Sequence, residues 1–182
     1  MKKSIIASVV ALGLVSGLAQ AADTDKEVQF VGSVTTVTCD ITPSVDGSDS
    51  MMPGVIQLGS VKTGELGSAV AFSFKPSDAN GNQASCDAML DNGTVSLTWT
   101  SDKFGNEGLG AISGAATDAY VQITAQNAKT QSDFIKASAT THEFAPSHLK
   151  SGGDGLQYKA ALQGGSVAGD FQSAAKFNFS YK

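Results

Sequence analysis

The chain has 182 residues, 12 of them basic and 17 acidic, with a formal net charge of −5 at pH 7. Every basic residue is lysine, so the chain lacks both the positive surface that nucleic-acid phosphates require and the planar fork that grips phosphate or carboxylate ligands. At 41% hydrophobic and 16% charged, it is neither a disordered acidic tail nor a coiled coil, and its length suits one domain with a real core.

Residues 1–21 read as a cleaved secretory signal peptide. Lys2 and Lys3 form the positive start, residues 5–18 the apolar stretch, and Ala19-Gln20-Ala21 the small-x-small cleavage site. Ser8, Gly13, Ser16 and Gly17 interrupt the apolar run, which is short for a bilayer span. The exported chain then starts at Ala22 and is two charges more acidic. Export changes how the two cysteines read: in an oxidising compartment Cys39 and Cys86 are expected to form one structural disulfide. Neither has a neighbouring base in sequence that would activate a catalytic thiol.

Short alternating runs fill the rest of the chain. After a polar arm at 22–26, residues 28–34 place Val28, Phe30, Gly32 and Val34 on one face. Residues 55–61 form a second apolar run behind Pro53-Gly54, and residues 70–74 alternate again before Lys75-Pro76. Residues 94–100 give the cleanest period of two, with Val95, Leu97 and Trp99 inward, so Trp99 is expected in the core rather than on a sugar. Residues 120–124 and 156–162 follow. Gly-, Asn- and Asp-rich turns separate these runs, as at Asp91-Asn92-Gly93. A turn of helix is expected only within 130–139. With no internal repeat and no linker, the pattern predicts an all-β antiparallel sandwich.

The last run is the most informative. From Gly169 onward the odd positions are Gly169, Phe171, Ser173, Ala175, Phe177, Phe179 and Tyr181, while the even positions are mostly polar. That is a half-buried strand. The chain stops one residue past Tyr181, and no following strand is expected to cover that edge.

Reactive constellations are sparse. His142, Glu143 and His148 match no zinc-ligand spacing, Pro146 interrupts them, and both histidines are expected on a surface loop. Asp87 and Asp91 read as solvated acids, and no serine sits in a nucleophile elbow. The Asn92-Gly93-Thr94 sequon matters only in a eukaryotic secretory pathway. No catalytic residue, metal or cofactor is expected.

Several of these features together resemble the chaperone–usher fimbrial subunits. The signal peptide, the short arm, the run Val28-x-Phe30-x-Gly32-x-Val34 and then Cys39 resemble the start of that family. Val55-Ile56-Gln57-Leu58-Gly59-Ser60-Val61 resembles the following strand of type 1 pilins. Gly169, the fourteenth residue from the C-terminus, and the penultimate Tyr181 resemble its C-terminal signature. A type 1-like major subunit is the nearest kind, with departures at an insertion over 44–54 and an Asn/Gly-rich stretch before Cys86.

The resemblance implies an incomplete immunoglobulin-like β-sandwich, the pilin fold lacking its final strand, over 37–182. A donor-strand extension at 22–36 precedes it. Val28, Phe30, Gly32 and Val34 would be the donor residues, although Gly32 alone reads equally as a strand bend. Gly169, Phe171, Ala175, Phe177, Phe179, Tyr181 and Lys182 would form the acceptor groove and chaperone-binding strand, with the Lys182 carboxylate held by basic residues of the chaperone. The implied partners are a periplasmic chaperone, an outer-membrane usher and identical or related subunits. The implied role is to build an adhesive fimbria at the cell surface that attaches the bacterium to host surfaces. Two alternatives remain open at this stage. One is a subunit with its own site for a host glycan or protein receptor, on loops 104–114 or 144–155. The other is a secreted β-sandwich enzyme, for which the chain lacks the residues.

Overall fold

Alternation of β-branched and aromatic residues with polar ones gives each strand one face to bury, and two sheets result. The computed structural model describes residues 39–45, 54–130 and 134–182. The signal peptide, the arm and the donor residues Val28, Phe30, Gly32 and Val34 lie outside the described residues. The strands are β1 (Ile41–Val45), β2 (Val70–Pro76), β3 (Val95–Thr100), β4 (Leu109–Gly110), β5 (Tyr120–Ala125), β6 (Thr141–Phe144), β7 (Leu156–Gln163) and β8 (Lys176–Tyr181). One sheet runs β1-β2-β7-β5-β4 and the other β6-β3-β8, with every pairing antiparallel.

The core lies between the sheets. Val95, Leu97 and Trp99 of β3 are buried, as the period of two predicts, and so are Phe72 and Phe74 of β2 and Leu156 and Tyr158 of β7. Trp99 lies 5.7 Å from Phe74 and 5.6 Å from Tyr158 between ring centroids, edge to face in both cases. Such pairs add roughly 0.5–1.5 kcal/mol each beyond the area they bury.

The disulfide forms as expected between Cys39 and Cys86, with Cα atoms 4.7 Å apart. It ties the chain entering β1 to α1 (Asn82–Asp87), a helix too short to stand without tertiary support. Asn82 supplies more of that support. Its side chain accepts from the Asp40 N–H at 2.7 Å and donates to the carbonyls of Asp40 at 2.8 Å and Ser77 at 3.0 Å.

Four expectations need correction. Among the described residues the helical turns fall at α1 and at a 3-10 turn, Pro146–Leu149, and 134–139 holds none. There Ile135 is buried and donates its N–H to the Ile123 carbonyl at 2.7 Å, running strand-like beside β5. His142 is no surface histidine: it sits on β6 opposite Leu97, and alternation turns it inward with Phe144 while Thr141 and Glu143 face out. Its Nδ1 lies 3.4 Å from the Tyr158 hydroxyl. Burial holds the imidazole below its usual pKa and raises that of the Tyr158 phenol. Residues 55–61 form no ladder among the described residues, although Ile56, Leu58 and Val61 pack on the core. The long final strand is split: 169–175 makes one isolated bridge at Gln172, and β8 starts only at Lys176.

Candidate functional site: an open strand edge beside an apolar groove

The main-chain geometry of β8 sets the site. Thr94 and Lys182 exchange both hydrogen bonds, at 2.8 and 3.0 Å. In an antiparallel ladder this pairing recurs at every second residue. Even-numbered residues of β8 therefore bond to β3, and the N–H and C=O groups of Phe177, Phe179 and Tyr181 point the other way. Among the described residues, no strand pairs on that side.

The side chains of these same residues turn inward, opposite Trp99, Leu97 and Val95 respectively. The Phe177 ring lies 4.6 Å from Phe74 yet stays 37% exposed. Tyr181 is locked at its tip, where its hydroxyl accepts from the Leu90 N–H at 2.6 Å.

Upstream, 169–175 follows the same parity. Gln172 accepts from the Ile112 N–H at 2.9 Å and donates to the Ser113 carbonyl at 3.1 Å. Asp170 accepts from the Ala116 N–H at 3.1 Å, and Ala174 from the Ser101 hydroxyl at 2.9 Å. Phe171, Ser173 and Ala175 make no main-chain bond among the described residues. One unpaired edge thus continues from Phe171 to Tyr181.

Beside the upstream half of this edge lies a groove of about 1340 Å³. One wall is 54–63 and the other 167–175, and its floor includes Phe72, Trp99, Val121, Ile123, Ala160 and Leu162. Gly169, Phe171 and Ala175 lie on the second wall, while Phe177, Phe179, Tyr181 and Lys182 continue the edge beyond it. The C-terminal site residues named from sequence thus fall along one line. Sequence reasoning did not anticipate the opposite wall. An apolar run with turn residues at both ends and no partner strand was the available signal.

The remaining polar candidates are structural. His148 pairs with Asp154 at 2.6 Å. Asp87 is more than a solvated acid: it accepts from the Ser151 N–H and hydroxyl, both at 2.7 Å, and these bonds lower its pKa. The segment 147–155 is thereby pinned against α1. Phe144, at the start of one candidate receptor loop, is fully buried.

No protein-family model matches the chain. It is 37% identical over 186 residues to the F107 fimbrial protein of Escherichia coli, with 100% of both chains covered. The chain belongs to the fimbrial proteins. The fimbria A protein of Serratia marcescens is 31% identical over 189 residues, covering 100% of this chain and 99% of that one. Among solved structures, this fimbrial protein is similar to the P pilus rod subunit PapA at 19% identity and a TM-score of 0.48, over 86% of this chain and 100% of that one. A chaperone–usher pilus structure matches at 18% identity and a TM-score of 0.40, over 88% of this chain and 97% of the other. As a fimbrial protein, the chain is a structural subunit of a fibre at the cell surface.

Proposed function

We propose that this fimbrial protein polymerises by donor-strand exchange after export with a periplasmic chaperone and an outer-membrane usher. The observation that carries this reading is the unpaired edge from Phe171 to Tyr181 running beside an apolar groove. An edge and groove of this kind are an aggregation hazard unless another chain covers them. Strand addition covers both at once, because main-chain bonds satisfy the edge while alternate side chains fill the groove.

Residues 22–36 of the next subunit supply the strand. Val28, Phe30 and Val34 contribute roughly 1.5–3 kcal/mol each when fully buried, and Gly32 passes where only backbone fits. The chaperone occupies the same edge first and holds the Lys182 carboxylate. Each subunit both gives and receives a strand, so the contact is head-to-tail and propagates into a filament. That filament attaches the bacterium to host surfaces.

Deleting residues 22–34 from the mature chain tests the assignment. The shortened subunit is expected to accumulate with its chaperone and to form no homopolymer. Normal polymerisation would refute the donor role.

A further inference from the structure

The groove raises a physical question of its own. Each wall carries apolar side chains, Ile56, Leu58 and Val61 on one and Val167, Phe171 and Ala175 on the other. Hydrophobic attraction across an unfilled gap draws such walls together. Something must hold them at the spacing of a strand.

The walls meet at one end of the groove. There Gly64 donates its N–H to the carbonyls of Gly164 at 3.1 Å and Gly165 at 3.0 Å, and Gly164 donates to the Glu65 carbonyl at 2.9 Å. This fastens the foot of the first wall to the chain leaving β7. On its far side, that chain is fastened to Asp118. The Asp118 carboxylate accepts from the Ser166 N–H at 2.7 Å, the Ser166 hydroxyl at 2.6 Å and the Val167 N–H at 3.3 Å.

Val167 is the first residue of the second wall, so Asp118, which does not itself line the groove, grips that wall at its root. The fit leaves no slack. A Cβ on Gly165 would overlap the Asp118 carboxylate, and one on Gly164 would overlap the Lys62 carbonyl. Further along, a Cβ on Gly169 would come within 2.5 Å of the Ala115 Cβ, so the second wall lies hard against the loop that carries Asp118.

We infer that Asp118 is a positioning residue that holds the second wall away from the first and keeps the groove at the width of an incoming strand. The inference rests on the donor-strand reading above. Asp118 touches no donor residue and acts through Ser166 and Val167.

The test measures uptake of a fluorescent synthetic peptide of residues 22–36 by the mature chain and its variants, each isolated as a monomer whose groove no neighbouring subunit has filled. Association and dissociation are followed separately. With Asp118→Ala, uptake is expected to slow about tenfold while release of bound peptide is unchanged, because loss of charge-assisted hydrogen bonds costs the open groove and not the filled one. A merely structural role would instead speed release and lower the denaturation midpoint of the complex. Asp118→Asn keeps an acceptor and Ser166→Ala keeps the Val167 bond, so both are expected to give intermediate rates. These two carry the comparison if the alanine variant does not fold. Uptake rates equal to wild type in the variants that fold would overturn the inference. No uptake by the wild-type chain would overturn the donor-strand reading, and this inference with it.

Discussion

Gly93 has no side chain where the ring of Tyr181 lies: a Cβ there would sit 2.5 Å from the ring. The glycine of the turn before β3 thus makes room for the penultimate residue of β8, and the Leu90 N–H in the same turn holds its hydroxyl. Gly93→Ala should displace Tyr181 and destabilise the chain by about 1–3 kcal/mol, the range for an overpacked site. Tyr181→Phe keeps the ring and loses only the hydrogen bond, at about 0.5–1.5 kcal/mol. Urea midpoints of the two variants check the order; a milder effect for the glycine variant would contradict the packing argument.

Phe179 faces Leu97 from the edge strand and is partly buried against the core. A charge there opposes burial without a partner. Phe179→Asp is expected to abolish chaperone capture and deplete the subunit from the periplasm, as read by immunoblot. An undiminished periplasmic yield would count against this strand as the acceptor.

The chain has one tryptophan, and it lies on the groove floor. Trp99 is therefore a reporter of what fills the groove. A peptide of residues 22–36 should shift its emission to the blue on binding, whereas the same peptide with Phe30→Asp should not. Identical spectra with and without the first peptide would place the strand elsewhere.

Acidification should act in two windows. Burial lowers the His142 pKa below 6.5, so the unfolded chain takes up its proton first and stability falls as pH drops below that value. Ser166 lowers the pKa of Asp118, and Ser151 that of Asp87, both below 3.8. Their contribution is present above 3.8 and is lost as pH falls further, through the folded values. Urea midpoints between pH 7 and pH 3 give the profile. His142→Phe should flatten the upper window and leave the lower one in place; an unchanged upper slope would show that another group titrates there.

Legibility in the sequence followed how much of each element is set by local alternation. β3, β5, β7 and the inward side of β8 could be read because one face of each is apolar over several residues. β6 was missed because its Thr-His-Glu-Phe contains a titratable residue on the buried face, and only pairing with β3 reveals its phase. β1 was missed because Pro43 and the polar Thr42 and Ser44 hide its alternation. The edge residues were legible as a pattern, whereas the wall at 54–63 was not. Its place depends on bonds from Gly64 and Gly67 to the end of β7, far along the chain. Asp118 carried no local signal for the same reason.

Residue-resolved hydrogen exchange along β8 tests the central claim most directly, comparing the mature chain refolded alone with the assembled fibre. The amides of Asn178, Ser180 and Lys182, which face β3, should be protected in both. Those of Phe177, Phe179 and Tyr181 should exchange fast in the lone subunit and become protected in the fibre. Equal protection of both sets in the lone subunit, or no gain at the odd positions on assembly, would contradict the account.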